Sequence, residues 1–453
     1  MSIAVLKFGG TSLKDAVAVK SAVNIALRYT GKKIIVLSAA AGVTNDLLKA
    51  ARLAADGEIE EYNALLNAIK QRHSDICDKM PVTQTAREKV DELCSRLRLY
   101  CDGMAMLREC TPRSLDAVAA FGELLTTTIF ADYLNSVGQS TELCDARTFM
   151  RADGEFTKAK PDLTATEKAV KEHLAVPLES GKIVVTQGFI AANTDGATIT
   201  LGRGGSDYSA AIIGAAVEAA EIHIWTDVSG VYSADPNRIA DAKSLNEITF
   251  EEARQLSFYG AKVLHPETIL PAIKKNIPVR VLNTFAPDEP GTLIVPTAFT
   301  EQPHIRAVTV KNNCFVVSAH SANNGETLAG FHSDFLCKLA AVGMPLLLFS
   351  GGESYVFALI EADSFADAES RLTLHLPDAA IEECAVLCAC GPGIAAPGAI
   401  QADLASEFTG IAINCGAKSV MTATSGLCAY LAVLPRKQGF AALAAVHGSA
   451  NKK

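Results

Sequence analysis

The feature of this sequence that most constrains its fold is the alternation of short apolar runs with helical stretches. Apolar runs suited to β-strands stand at residues 3–8, 34–37, 183–186, 198–201, 222–226 and 279–282, and helical stretches such as 208–220 and 251–259 separate them. Apolar strands that alternate with helices predict an α/β protein with a mostly parallel sheet covered on both faces. Ligands of such sheets collect beyond the carboxyl ends of the strands, so we expect the functional residues in the loops that follow strands.

Composition narrows the class of protein further. The chain has 453 residues, 49% hydrophobic and 20% charged, which is typical of a globular protein with more than one domain. The net charge of -9 argues against nucleic acid as a partner. The first residues lack a basic segment followed by a long apolar stretch, and the longest uncharged run, 384–402, contains two prolines. We therefore expect neither an export signal nor a membrane span.

The 12 cysteines show no spacing typical of disulfides, which favours a reducing cytoplasm. Cys384, Cys388 and Cys390 are close in sequence, but no histidine pair or second cysteine pair accompanies them. Small apolar core side chains are therefore favoured over a zinc site, and we predict no metal-binding residues.

A change of domain is predicted at the Pro- and Gly-rich passage 286–296, which would end a first domain of residues 1–296. Within that domain, residues 45–120 have no strand-like run and predict a helical insert. Beyond residue 300, strand, helix, strand, strand and helix follow in turn, and a comparable cycle starts at residue 385. Two weak repeats of roughly 70 residues predict a pair of small sensor-like modules in 300–453.

Lys7 ends the first predicted strand, directly before Gly9 and Gly10. Glycines allow backbone N–H groups to approach a phosphate, and a helix that begins there adds the positive end of its dipole. This stretch does not match GxxxxGK[ST], which excludes the P-loop fold. Taken alone, the pattern is as compatible with a plain turn as with a phosphate site.

A second turn, TLGRGGSD at 200–207, carries Arg203 and Asp207 between a predicted strand and a helix that starts near Asp207. The free N–H groups of a first helical turn can bind an anion, and a guanidinium can fork onto a carboxylate. Asp207 is also compatible with a simple helix cap. Glu123 stands in a short turn before a helix predicted from Leu124, and by itself it is compatible with an ordinary acid at a helix start. Lys262 is by itself compatible with a solvated surface lysine.

In this order, KFGGTS, SAAAGVTN, FGE, TQGFI, TLGRGGSDYSAA, WTDVSGVYSADP and GAKVLHP resemble the motifs of the aspartokinases, closest to the single-function, lysine-sensitive type. The resemblance covers residues 1–296 and implies the amino acid kinase fold, an αβα sandwich. It implies transfer of the ATP γ-phosphoryl group, with Mg²⁺, to the β-carboxylate of L-aspartate. The product is 4-phospho-L-aspartate, at the first step toward lysine, threonine and methionine. Residues 300–453 resemble, more loosely, paired ACT modules (βαββαβ), the first near 314–383 and the second near 300–313 plus 384–453.

The same resemblance implies a role for each matching residue. Lys7 and Asp207 match the catalytic pair, in which Lys7 would neutralise the transferring phosphoryl group and Asp207 would orient the lysines around it. Arg203 would bind the α-carboxylate of aspartate and Glu123 its α-ammonium group. The implied substrate-binding residues are Ser38, Thr44, Glu123, Phe189, Arg203, Gly204, Gly205 and Ser206. The implied ATP-binding residues are Lys7, Gly9, Gly10, Thr11, Thr226, Asp227, Tyr232, Arg238, Lys262 and Val263.

One departure from the family concerns the nucleotide site. The closest relatives follow an Asp-Pro pair with arginine, whereas this sequence has Asn237 at that position and then Arg238. Either Arg238 reaches the phosphates from one position later, or ATP binds more weakly.

The predicted chemistry needs no general base. A β-carboxylate with a pKa near ~3.9 is ionised at neutral pH, so the site must supply alignment and neutralisation of phosphoryl charge. Two other hypotheses stay open. The first is a kinase of the same fold that acts on glutamate or on an acetylated amino acid, and the second is a non-catalytic amino-acid sensor. The ammonium partner implied for Glu123 argues against an acetylated substrate, and retention of Lys7 and Asp207 argues against a sensor.

We also expect a cytoplasmic homodimer whose ACT-like modules accept an amino-acid effector. Lysine-sensitive relatives carry an aspartate for the effector's ammonium group in a strand that matches residues 345–354, and here leucine takes its place. In the preceding loop, Asn324 replaces an apolar residue. We therefore predict weak inhibition by lysine or none.

Overall fold

The structure, a computed structural model, describes residues 2–202, 204–261, 266–296, 302–321, 327–362, 364–422 and 428–450. The chain forms two compact units. The first unit consists of Met1–Val231, Ser244–Phe250 and Val263–Thr297, and the second of Tyr232–Lys243, Glu251–Lys262 and Ala298–Lys453. Two short segments of the predicted first domain thus cluster with the C-terminal region, while the predicted boundary at residue 296 stays a prediction.

The first unit is built on an eight-stranded sheet. Its strands are β1 (Ile3–Phe8), β2 (Lys32–Leu37), β3 (Thr141–Cys144), β4 (Ile183–Gln187), β7 (Glu221–Thr226), β8 (Glu247–Thr249), β9 (Val279–Asn283) and β10 (Thr292–Val295), while β5 (Ile190–Ala192) and β6 (Thr198–Thr200) form a separate antiparallel pair. The sheet order is β3-β4-β2-β1-β7-β9-β10-β8, and neighbours are parallel except β9 and β10. The predicted mostly parallel sheet is confirmed, but the predicted strand at 198–201 lies outside it.

Helices surround this sheet. They are α1 (Ala16–Leu27), α2 (Val43–Asp56), α3 (Ile59–Asp78), α4 (Gln84–Leu107), α5 (Pro112–Ala119), α6 (Phe121–Ser136), α7 (Leu163–Glu179), α8 (Gly205–Ala216), α9 (Phe250–Phe258) and α10 (Leu270–Lys274), with short 3-10 turns at Gly10–Leu13, Ala146–Thr148 and Pro266–Ile269. The predicted helical insert corresponds to α2–α5. By length and composition, Pro112–Ser136 would be apolar enough to cross a membrane, but 72% of its most apolar stretch is buried inside the protein, as in a core helix.

Burial explains the apolar strand pattern. Leu6 of β1 and Ile35 of β2 are fully buried among side chains of α1–α6. Their neighbours Val5 and Ile34 point to the opposite face and are equally buried, and α8 contacts β1 and β7. A sheet covered on both faces requires continuous apolar runs, which is the pattern that predicted the αβα sandwich.

The bounds of two predicted helices need correction. Helix α8 runs from Gly205 to Ala216 and not from 208 to 220, because the chain leaves the helix at Val217 and Glu218 has a positive φ of 50°. Glu123 was expected in a turn before a helix at Leu124, but it is the third residue of α6. Only Ala120, itself in a helical conformation, separates α5 from α6, so residues 121–123 belong to the helix and not to a turn before it.

The second unit carries a six-stranded sheet of order β12-β13-β11-β14-β16-β15, antiparallel throughout. Its elements are β11 (Ala307–His320), α11 (Leu328–Val342), β12 (Leu346–Gly351), β13 (Tyr355–Glu361), α12 (Phe365–His375), β14 (Ala380–Cys390), α13 (Ala399–Asn414), β15 (Ser419–Thr422), β16 (Ala429–Pro435) and α14 (Gly439–Ala450), with a 3-10 turn at Arg436–Gln438. This order confirms the predicted α+β character.

Two separate cores lie on this second sheet. One packs α11 and α12 around Phe315 and Val317 of β11, and the other packs α13 and α14 around Leu387 and Ala389 of β14. The long strand β11 changes register between Lys311 and Cys314, between the parts that serve the two cores. These cores support the predicted division into two modules, whose bounds stay a prediction. Cys384, Cys388 and Cys390 are buried core side chains of β14.

Candidate active site

A cavity of about 390 Å³ opens at the carboxyl ends of the parallel strands of the first unit. It brings together ten of the predicted site residues, Lys7, Gly10, Ser38, Thr44, Glu123, Phe189, Gly204, Gly205, Ser206 and Asp207. They come from the ends of β1, β2 and β4 and from the first turns of α2, α6 and α8. Sequence-distant loops thus form one site, as expected for the carboxyl edge of a parallel sheet.

Lys7 and Asp207 form the charged centre of this cavity. Lys7 lies near the end of β1, paired with Val36 on one side and Ile224 on the other, and only 7% of it is exposed. Its Nζ lies 2.6 Å from Oδ1 of Asp207, in the first turn of α8. Asp207 therefore contacts the lysine and is more than a helix cap. The cap position is Gly204, with a φ of 72°, which has no side chain to satisfy the first N–H groups of α8.

Close backbone approach explains two glycines at the site. A Cβ on Gly10 would lie 2.9 Å from the Ala39 carbonyl oxygen, and a Cβ on Gly188 would lie 2.7 Å from Cβ of Ser206. The Ala41 N–H donates to the Gly10 carbonyl at 2.9 Å, which joins the loops after β1 and β2. These contacts hold three loops against one another without intervening side chains.

Glu123 supplies a buried carboxyl to the cavity. Its Oε1 accepts a hydrogen bond of 3.0 Å from the Ala39 N–H, whereas Oε2 has no partner among the described residues. Burial raises the pKa of Glu123 to about 8, although the Ala39 hydrogen bond acts in the opposite direction. A buried acceptor without a partner fits a ligand that brings a positive charge or a hydrogen-bond donor.

Phe189 forms a strained part of the cavity wall. It has a φ of 68°, which is rare for a bulky residue, and its N–H donates to Oγ of Ser209 at 2.9 Å. A Cβ on Gly205 would lie 2.7 Å from the Phe189 ring, so the ring packs directly on the start of α8. Strain of this kind costs on the order of 1–3 kcal/mol and clusters at ligand sites.

The residues predicted to bind ATP are less completely assembled. Gly9 and Thr11 follow β1, and Thr226 and Asp227 stand at the end of its neighbour β7. Tyr232 and Arg238 belong to the second unit. Lys262 and Val263 lie outside the described residues, as does Arg203, which was predicted to bind the substrate. The roles of all these residues stay predictions.

Other residues that line the cavity were missed, among them Ala39, Ala40, Ala41, Gly42 and Asn45. All belong to SAAAGVTN, a motif from which only Ser38 and Thr44 were selected. Ala39 acts through its backbone N–H, which its methyl side chain does not reveal.

The residues fit a magnesium ion held mainly by phosphate oxygens. Across the described ranges, no group of three or more His, Cys, Asp and Glu residues is placed to hold a metal ion. Mg²⁺ bound with a nucleotide needs only one or two protein carboxylates, because phosphates and water supply its other ligands. Asp207 is the carboxylate beside the cavity's lysine.

Comparisons with known proteins agree with this architecture. A profile described as "Amino acid kinase family" matches residues 2–283. Lysine-sensitive aspartokinase 3 of Escherichia coli (strain K12) is 35% identical over 376 residues, which cover 83% of this chain and 82% of that protein.

Two solved structures are also similar over nearly their whole length. The crystal structure of E. coli aspartokinase III in complex with aspartate and ADP (R-state) matches with a TM-score of 0.84 at 30% identity, over 98% of this chain and 99% of the other. The same enzyme in complex with lysine and aspartate (T-state) matches with a TM-score of 0.82 at 30% identity, over 99% of each chain. The chain therefore belongs to the amino acid kinase family and, within it, to the aspartokinases.

Proposed function

We propose that this chain transfers the γ-phosphoryl group of ATP to the β-carboxylate of L-aspartate and releases 4-phospho-L-aspartate. The observation that carries this proposal is one cavity that joins the Lys7–Asp207 pair to the unpaired Oε2 of Glu123. The relatives support the choice of substrate, since the E. coli enzyme was crystallised with aspartate and ADP.

The acceptor is proposed to bind through its α-groups. The buried Glu123 carboxyl takes the α-ammonium group, for which its Oε2 has an open position. Arg203 takes the α-carboxylate, and Ser38, Thr44, Ser206 and the Phe189 wall enclose the remainder. The β-carboxylate is then directed toward the lysine of the Lys7–Asp207 pair.

Phosphoryl transfer then depends on positioning and charge. Lys7 is buried and held by Asp207 at 2.6 Å, so its charge is already oriented where phosphoryl charge develops. Because the acceptor is already ionised, no side chain has to remove a proton. Asp207 would help to hold a Mg²⁺ ion that arrives with the phosphates, and this ion would supply further neutralisation of phosphate charge. Gly10 and Thr11 offer backbone N–H groups to the phosphates, and Gly9, whose own N–H donates to the Trp225 carbonyl at 2.9 Å, lines them.

The remaining parts of the proposal concern the oligomeric state, the effector and the cellular location of the enzyme. We propose a homodimer that answers to an amino-acid effector at its ACT-like modules, since E. coli aspartokinase III was also crystallised with lysine. A cytoplasmic location is supported by the cysteines, all twelve of which lie in the described ranges and none of which is paired.

An ATP-consumption assay with three acceptors tests the proposal. We expect turnover with L-aspartate and little with L-glutamate or N-acetylglutamate. Preferred turnover of either of the latter would establish another kinase of this fold. Absence of ATP consumption with every acceptor, while aspartate still binds, would establish a sensor and contradict the proposal.

A further inference from the structure

Asp116, on helix α5, carries a buried carboxyl group that the proposed reaction does not use. It is 2% exposed and is not among the residues that line the cavity. Its Oδ2 accepts hydrogen bonds from the N–H groups of Thr157 at 2.8 Å and Thr200 at 3.1 Å, and its Oδ1 accepts one from the Thr200 hydroxyl at 2.6 Å. These bonds compensate for the burial of the carboxyl group. They also join α5, the segment 153–160 and strand β6 at one point.

Thr200 is the last residue of β6, and its backbone is held on both sides. Its N–H donates to Asp116, while its carbonyl accepts from the Ala159 N–H at 3.1 Å. Across the antiparallel pair of β5 and β6, Thr200 is paired with Ile190, the first residue of β5. We call this pair of strands the β5–β6 hairpin. Asp116 is thus bonded to the base of the hairpin.

Both ends of the β5–β6 hairpin reach the cavity. Phe189 directly precedes β5, Gly202 lies two residues after β6, and both line the cavity. The Leu201 N–H donates to the Phe189 carbonyl at 2.9 Å, which joins these two ends. A group that holds the base of the hairpin therefore holds this part of the cavity wall.

Thr157, the third partner in this arrangement, supports Gly202 from behind. It has a φ of 70°, which is rare for a β-branched residue. Its N–H is the one that Asp116 accepts, and its carbonyl oxygen would lie 3.5 Å from a Cβ on Gly202. Asp116 therefore also holds segment 153–160 in contact range of the cavity wall.

The helices connect Asp116 to another part of the same cavity. Only Ala120 separates α5 from α6, and Glu123 is the third residue of α6. One pair of consecutive helices thus carries the carboxyl group proposed to bind the acceptor's ammonium group and the carboxyl group that holds the wall formed by Phe189 and Gly202.

We propose that Asp116 is a positioning residue for the amino-acid acceptor, which holds the wall of Phe189 and Gly202 in place relative to Glu123. This inference rests on the proposed function, because that function assigns the acceptor to this cavity. Asp116 acts through Thr157 and Thr200 and does not itself contact a substrate. Its loss should therefore weaken the binding of aspartate and leave the binding of ATP largely intact.

The first test separates the hydrogen bonds of Asp116 from its charge. Asp116→Ala removes all three bonds and should raise KM for aspartate about ten- to hundredfold, because a displacement near 1 Å disturbs the alignment of a bound acceptor. KM for ATP should change little. Asp116→Asn still offers a carbonyl oxygen to the two N–H groups and an amide N–H to the Thr200 oxygen. It should restore most of the affinity for aspartate that Asp116→Ala loses.

Thr200→Val decides the matter if Asp116→Ala does not fold. It removes only the hydroxyl group, keeps the branched shape, and should raise KM for aspartate about three- to tenfold, a fraction of the effect of the larger change. The matched control is Tyr62→Phe, which removes another buried hydroxyl-to-aspartate hydrogen bond, 2.9 Å long, between Tyr62 and Asp102 of the helical insert. It should lower the melting temperature comparably and leave both KM values unchanged.

The inference is overturned if Thr200→Val leaves KM for aspartate unchanged, or if it raises KM for ATP equally. It also falls if Asp116→Asn binds aspartate as weakly as Asp116→Ala, or if Tyr62→Phe raises KM for aspartate as much as Thr200→Val. In each of these cases wild-type turnover with aspartate still stands, whereas failure of the proposed function would appear as absence of that turnover.

Discussion

The protonation state of Glu123 links the structure of the site to its pH dependence. Burial raises the pKa of this carboxyl to about 8, so in the ligand-free protein it is largely protonated at neutral pH. An ammonium group at Oε2 requires the carboxylate, and binding must therefore release a proton below pH 8. An ordinary acid at the surface is already ionised at neutral pH and would release no proton when an ammonium group binds to it.

We predict that KM for aspartate falls as pH rises from 6 to 8 and levels off above it, by at most about tenfold per pH unit. Glu123→Gln should raise KM for aspartate and remove this pH dependence, while KM for ATP changes little. The same shift works against stability: the folded-state pKa of about 8 lies above the ordinary value of 4.5, so the ligand-free fold loses stability as pH rises from about 4.5 to 8, where Glu123 ionises in the unfolded chain but stays protonated in the fold. A pH-independent KM for aspartate in the wild type would contradict the assigned role.

Lys7 is the second residue whose role can be measured directly. Lys7→Ala should lower kcat by roughly 10²–10⁴ with the melting temperature preserved, because a charge oriented by Asp207 is lost where phosphoryl charge develops. Lys14→Ala, at an exposed lysine in the same loop region, should leave kcat unchanged. Near-normal turnover of Lys7→Ala would rule out Lys7 as a catalytic residue.

Among the elements, the approach of the β4 end to the start of α8 sets the geometry of the site. Gly188, just after β4, stands so close to Ser206 that a Cβ would lie 2.7 Å from its Cβ and 2.8 Å from its Cα. Since Ser206 directly precedes Asp207, any displacement there moves the partner of Lys7.

We predict that Gly188→Ala lowers kcat/KM for aspartate by about tenfold to a hundredfold, because a shift near 1 Å disturbs the alignment of reacting groups. The matched control is Gly154→Ala, where a Cβ meets nothing within 4 Å. Steady-state kinetics of both variants decide the matter, and equal kcat/KM values would show that α8 tolerates the displacement.

At the scale of the whole molecule, the second unit carries the proposed assembly contact and includes segment 232–243. Leu346 lies on edge strand β12 and is 43% exposed. Tyr355 and Leu328, in the same module, are 45% and 49% exposed. Such apolar side chains fit the proposed homodimer contact. Ala234 and Ile239, in contrast, are buried in the second unit's own core.

Truncation after Pro296 should therefore give a monomeric or insoluble fragment, because it removes the proposed dimer contact and the core around residues 234 and 239. Sedimentation of the full chain at micromolar concentration should show a dimer. A monomeric full chain, or a truncated chain that remains a soluble dimer, would refute this assembly.

Feedback by lysine is expected to be weak. By the family resemblance, Leu346 would take the position of an aspartate that binds the effector's ammonium group, and losing such a partner would cost about 2–5 kcal/mol, or roughly thirty-fold to several thousand-fold in affinity. Inhibition cannot exceed the effector's preference for the inhibited state. Titration of L-lysine, L-threonine and L-methionine into the assay measures it, and half-maximal inhibition by submillimolar lysine would overturn the prediction. In that case Glu353 or Glu326 would replace the lost carboxylate, and substitution of each would identify which one does. Glu326 lies outside the described residues.

The sequence by itself determined the features that depend on local pattern. Continuous apolar runs between helices predicted the parallel sheet, because only strands buried on both faces need them. Glycine- and charge-bearing motifs directly after those runs predicted a site at the carboxyl edge, and Lys7, Glu123 and Asp207 do meet in one cavity.

Only the tertiary structure decided the features that depend on contacts between distant segments. The raised pKa of Glu123 follows from its burial, and the hydrogen bond that opposes this shift comes from Ala39, 84 residues away; a single motif shows neither effect. Segment 198–200 left the main sheet because it pairs with β5 instead. Segment 232–243 joined the C-terminal core because Ala234 and Ile239 find their apolar partners there. Burial and long-range pairing select among arrangements that the local sequence leaves equally open. At this site, burial also determines the protonation state of Glu123.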